Sequence, residues 1–135
     1  MSAVWLNGGI DYLTQVFLNI TAQQNLTLRL YTNNHAPIVT DTWSAFTECT
    51  LSGYAAVTFT PGTWSGSTSA GLSSYSYPAV SFTFNPYAGG TTIYGYAVTI
   101  PGITAVLADL LGTAYAVPTG GGIVQITPTD MFRKF

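Results

Sequence analysis

From Asn25 onward apolar residues recur at every second position in short runs, and each run ends in a cluster of Gly, Pro, Asn or Ser. A period of two puts successive side chains on opposite faces of a strand, so this pattern dictates a succession of short, half-buried β-strands. Leu26, Leu28 and Leu30 alternate with Thr27, Arg29 and Tyr31 in the first strand. Ala55, Val57 and Phe59 do the same within 54–60, ahead of the turn Pro61-Gly62. The runs 80–84 and 92–100 flank Asn85-Pro86-Tyr87-Ala88-Gly89-Gly90 and are predicted to pair as a hairpin. Within 92–100, Tyr94, Tyr96, Val98 and Ile100 share one face while Gly95 and Ala97 share the other, so a bulky neighbour must lie over the small side. Three further strands are predicted at 106–111, 115–117 and 123–126, separated by Gly112 and by Pro118-Thr119-Gly120-Gly121-Gly122. About seven or eight short strands with regular turn signals predict an all-β fold, an antiparallel, jelly-roll-like β-sandwich. At 135 residues the chain is one domain's length and can bury one core.

Ahead of the strands, Ile10, Leu13, Val16, Phe17 and Ile20 follow Gly8-Gly9 at helical spacing with Asp11 in the first turn. This predicts one short N-terminal helix over 10–20, packed on the sheet or on a partner. Residues 1–9 then read as an arm that reaches a neighbouring subunit, because Trp5 and Leu6 have no evident core partner. The turn residues Asn33-Asn34-His35-Ala36-Pro37 open a long loop over 38–50, a size at which loops often serve recognition. The Ser/Gly-rich stretch 65–76 is either a flexible hairpin tip or a strand edge held by a neighbour.

Charge bounds the function. Only 6 % of residues are charged, against roughly a quarter in ordinary soluble domains. The surface must therefore be mostly uncharged polar, which does little to keep copies apart and favours assembly. The basic residues are Arg29, Arg133 and Lys134, too few and too scattered to track phosphates, so no nucleic acid is expected. No apolar run approaches bilayer length, so no membrane partner is expected. The opening residues Met1 to Leu6 lack the charged and long apolar regions of a signal peptide, so secretion through a cleaved signal is not expected.

Cys49 is the single cysteine, which excludes an intramolecular disulfide and reads as a small buried hydrophobe. His35, Asp41, Glu48 and Cys49 fall in one stretch and invite a Cys-His-Asp nucleophile, but a triad is assembled by the fold and not by proximity in sequence. One His and one Cys cannot complete a zinc site, and Asp41 is expected to cap its loop through backbone amides. No catalytic residue, cofactor or metal is assigned.

Binding residues are the better candidates. Tyr75, Tyr77 and Tyr87 lie in or beside Ser/Gly-rich segments, where rings can form a contact face. Trp5 and Trp43 offer a flat platform of the kind on which sugars stack. The tail Met131-Phe132-Arg133-Lys134-Phe135 offers apolar anchors and two cations to an acidic partner.

The segments Leu28-Arg29-Leu30-Tyr31-Thr32-Asn33-Asn34, Phe46-Thr47-Glu48, Gly53-Tyr54-Ala55, Trp64, Phe82-Thr83-Phe84 and Ile93-Tyr94-Gly95-Tyr96, in that order, resemble a family of small tailed-bacteriophage virion structural proteins. The likeness spans residues 8–127 as a string of short segments without a catalytic motif. It implies a non-enzymatic cement or decoration protein, made in the host cytoplasm, that binds the outside of the capsid shell. Its partners would be the major capsid protein and copies of itself, with a trimer as the expected homo-oligomer. The alternatives are a tail-associated or receptor-binding module that contacts a glycan, and a small hydrolase built on the 35–49 stretch.

Overall fold

The computed structural model describes residues 3–86 and 90–133, with Leu72 and residues 129–133 described by their backbone alone. The elements in chain order are β1 (Val4–Trp5), α1 (Asn7–Phe17), β2 (Thr27–Tyr31), a 3-10 turn (Trp43–Ala45), β3 (Val57–Thr58), β4 (Ser65–Ser69), β5 (Leu72–Ser76), β6 (Val80–Phe84), β7 (Thr92–Ile100), β8 (Thr104–Ala116), β9 (Gly122–Ile126) and β10 (Thr129–Arg133). Every strand pairing is antiparallel. Among the described residues the strands form sheets of order β1-β8-β7-β2-β3, β10-β5-β4 and β6-β9. The fold is thus all-β with one short helix, a sandwich-like arrangement of antiparallel sheets that do not close into a barrel.

The alternation in sequence explains the main core. Leu28 and Leu30 of β2, Tyr96 and Val98 of β7, and Val106 and Leu107 of β8 meet Phe82 and Phe84 of β6 and Val124 and Ile126 of β9 in one buried cluster. The two-stranded sheet therefore covers one face of the five-stranded sheet. The other face buries Leu6, Tyr31, Phe46, Ala97, Ala105 and Ala108. Tyr31 stands opposite Gly95 in the β2–β7 register, and a Cβ at Gly95 would collide with the tyrosine ring and with the Asp109 carbonyl. Tyr31 is thus the bulky group that the small residues of β7 require.

Several expectations need correction. The predicted hairpin of 80–84 with 92–100 does not form: β7 has its two edges occupied by β2 and β8, and β6 pairs with β9 instead. A β-bulge between Ile93 and Gly95 puts Ile93 on the Tyr96 and Val98 side and sends Tyr94 to the Leu6 and Tyr31 side, so Tyr94 does not share a face with Tyr96. The runs 106–111 and 115–117 merge into one strand, β8, which carries Gly112 without a break and ends at Ala116. The stretch 65–76 is a hairpin, β4 and β5, turning at Ala70 and Gly71, both with positive φ. That hairpin, β1 and β10 raise the number of strands to ten among the described residues.

Of the arm expected over 1–9, the described residues 3–9 fold onto the chain's own sheet. Trp5 pairs with Leu107 in β1 and packs on the main core, while Leu6 has 0 % exposure. The core partners that the sequence hid are supplied by β8, whose Val106 carbonyl accepts the Leu6 amide at 3.0 Å.

Candidate interaction surface

Helix α1 begins at Asn7, not at Ile10, because its first turn is seated on β8. A Cβ at Gly9 would overlap the Val106 backbone, so only glycine lets the helix approach that closely. The helix ends after Phe17 in a Schellman motif: Asn19 adopts the left-handed conformation at φ 59, the Ile20 amide donates to the Gln15 carbonyl at 2.8 Å, and the Asn19 amide to Val16 at 3.1 Å. Ile20 therefore lies beyond the helix and not within it.

The helix carries two apolar stripes. Gly9, Tyr12 and Val16 turn inward: Gly9 is buried, Tyr12 packs on the main core, and the Tyr12 hydroxyl accepts the Gln24 amide at 2.6 Å. Ile10, Leu13 and Phe17, one residue further along, lie about 100° round the helix and face water, with Phe17 at 85 % exposure. Leu18 and Ile20 extend the exposed apolar surface past the C-terminus of the helix.

Further exposed apolar residues lie beside the helix start. Ile38 and Val39 are exposed, and the Val39 carbonyl accepts the Asn7 amide at 2.8 Å. Ile103 is exposed on the β7–β8 turn, and a cleft of about 180 Å³ joins it to Gly8, Asp41 and Trp43. The loop that presents Ile38 and Val39 is closed by a clasp: His35 Nε2 lies 2.7 Å from Asp41 Oδ2, and that carboxylate also accepts the Ile38 amide at 2.8 Å. Burial pushes the Asp41 carboxyl upward, but the Ile38 amide and the His35 ring outweigh it and hold its pKa below the ordinary value. The cap predicted for Asp41 is present.

Beneath the loop, Arg29 Nη1 donates to Glu48 Oε1 at 2.7 Å and Arg29 Nε to Thr99 Oγ1 at 3.0 Å. The Tyr54 hydroxyl donates to the same Glu48 oxygen at 3.1 Å, and burial drives its pKa upward. Trp43 lies against Phe46 and under the Arg29 guanidinium, at 5.9 Å from ring centroid to Arg29 Cζ. The residues that invited a triad are separated: His35 is bonded to Asp41 and edges onto Phe46, Glu48 is bonded to Arg29, and Cys49 is buried in the main core with its thiol pKa raised by burial. These groups hold the 32–54 segment against the sheet.

Comparison with family models, with curated proteins and with solved structures gives no match. What the chain does has to be read from its own surface.

The predicted binding residues are dispersed. Trp5 is half-buried in β1 and Leu6 is wholly buried, so Leu6 offers nothing to a partner. Trp43 is half-buried on the second face of the large sheet, and Tyr75 is exposed on β5. Tyr77 packs on Phe59 and Trp64, while its hydroxyl accepts the Thr60 amide at 3.0 Å. Trp5 packs on the main core and Trp43 on the second cluster across the large sheet, so the two form no common platform. The side chains of Met131, Phe132 and Arg133 on β10, and all of Tyr87, Lys134 and Phe135, lie outside the described residues.

The residues that sequence reasoning missed are the outward ones on α1. A single helical set was read from Ile10, Leu13, Val16, Phe17 and Ile20, whereas Val16 belongs with Gly9 and Tyr12 on the inner face. The signal was available: Ile10, Leu13 and Phe17 form an i, i+3, i+7 set that excludes Val16.

Proposed function

We propose that this chain is a non-enzymatic structural subunit that binds and stabilises the outside of a phage capsid shell, as a cement or decoration protein made in the host cytoplasm. The observation that carries this reading is the apolar surface on and beside α1. Ile10, Leu13, Phe17, Leu18, Ile20, Ile38, Val39 and Ile103 are all exposed. Summed over these eight residues, on the order of 700 Å² of side chain lies in water, comparable with the ~800 Å² per partner of a standard protein interface. Water opposes such exposure at roughly 25 cal/mol per Å², so covering it by a protein partner is strongly favoured. Scarce charge over the whole chain supports the same reading, since dense packing on a lattice meets little repulsion.

Its partners would be the major capsid protein and other copies of this chain. Many identical contacts closing with the symmetry of a shell add up to strong binding without any ligand. The test is the copy number of this protein relative to the major shell protein in gradient-purified particles, by quantitative mass spectrometry. A ratio near one, or a simple fraction of it, supports cementing; a few copies per particle would move the protein to the tail, and absence would overturn a virion role.

A second reading, glycan binding, is favoured by a different place. A cleft of about 270 Å³ is lined by Gln23, Gln24, Asn25, Thr60 and Trp64, amides beside an indole, the chemistry that binds sugar hydroxyls and sugar faces. Under that reading Trp64→Ala abolishes binding to an oligosaccharide array and leaves particle stability unchanged; cementing expects no array signal.

A further inference from the structure

We propose that α1 packs along α1 of a second copy, with Ile10, Leu13 and Phe17 forming a helix-to-helix seam. This deepens the reading of α1 as a protein-binding surface and rests on it. The spacing is the first ground. Positions 10, 13 and 17 are separated by three and then four residues, the a-d-a pattern of a coiled-coil seam, and so narrow a stripe matches another helix better than a flat surface. Among the described residues α1 is the one α-helix this chain has to offer.

Area is the second ground. Ile10, Leu13, Phe17, Leu18 and Ile20 expose on the order of 500 Å². A symmetric pair that covered all of it would bury about 1,000 Å² in total, the size at which specific interfaces begin. Charge is the third. The helix bears one charge, Asp11, whose carboxylate accepts Gln15 Nε2 at 2.7 Å and lies off the seam. Two copies thus meet without like charges between them, as a self-complementary patch about a two-fold axis demands. An antiparallel arrangement places Phe17 of each copy over Ile10 of the other, Leu13 near the axis, and the two helix dipoles side by side in opposite directions. Neither α1 nor the segment up to Leu28 contains Lys or Arg, which argues against an anionic membrane as the occupant.

The test uses the full chain alone in solution. Sedimentation velocity over a concentration series is expected to show a dimer, and Phe17→Asp, at an exposed site, is expected to raise its dissociation constant by about 30-fold or more with an unchanged circular dichroism spectrum. Leu13→Cys is expected to form a disulfide-linked dimer on mild oxidation, while the wild-type chain, with Cys49 buried, does not. A monomer at every concentration would overturn the proposal, as would an oligomer that survives Phe17→Asp, or a monomer that floats with phosphatidylcholine vesicles. No particle enters this assay, so a failed copy-number ratio leaves α1 pairing standing. A stoichiometric ratio with a monomeric chain removes only the pairing.

Discussion

The five-stranded sheet and the Ser/Gly-rich sheet of β4, β5 and β10 are built from the same antiparallel ladders, yet they are stabilised differently. Strand β7 is buried on both faces along most of its length, with Tyr31, Phe46 and Leu6 on one side and the β6–β9 layer on the other. Every residue of β4 is exposed, and the strand is held by its pairing with β5. Burial of apolar area dominates the first sheet, whereas backbone hydrogen bonds, each of modest net worth, dominate in β4. The lesson is a division of labour: the large sheet fixes where α1 and the 35–41 loop sit, and β4 adds surface that can vary at little thermodynamic cost.

Substitutions sharpen that contrast. The largest effect is expected at Gly95, where Gly95→Ala forces the Tyr31 ring and the Asp109 carbonyl apart and should cost about 3 kcal/mol or more in chemical denaturation. Arg29→Ala should cost about 1–2 kcal/mol, since it removes the partner of a part-buried Glu48 and the bond to Thr99. Acid should act next, and locally. The depressed Asp41 pKa means that its contribution is complete above the ordinary carboxylate range and is lost as pH falls through the folded-state value. Protection of the Ile38 and Asn7 amides from hydrogen exchange, taken relative to the intrinsic rate at each pH, should therefore fall at low pH, and Asp41→Asn should remove most of that pH dependence. The smallest effect is expected on β4, where Ser67→Ala should change stability by less than about 0.5 kcal/mol. A loss at Ser67 comparable to that at Gly95 would erase the distinction between the two sheets.

Much of the fold was legible because burial on the large sheet follows the alternation of Leu28 and Leu30, and of Phe82 and Phe84. The requirement for a bulky group over Gly95 and Ala97 was also legible, though not its identity as Tyr31. Strand partners were not: the alternation in β6 is equally satisfied by β7 or β9, and the choice follows from β2 and β8 taking both edges of β7. The N-terminal arm was misread for a related reason, since the burial of Leu6 depends on β8, a strand about a hundred residues away. At the candidate surface, helical spacing located α1, but spacing alone cannot say which of two stripes faces the sheet. The contact of Gly9 with Val106 decides that, and it leaves Ile10, Leu13 and Phe17 outside.

For the proposed shell-binding role, the most direct measurement of whether the outer face of α1 drives assembly is the binding of wild-type and Phe17→Asp chains to phage capsid shells prepared without this protein, with bound copies counted by mass spectrometry. The wild-type chain should saturate at a simple ratio to the shell protein, and the folded variant should bind at least about tenfold more weakly. Equal occupancy by the two chains would contradict a role for that face.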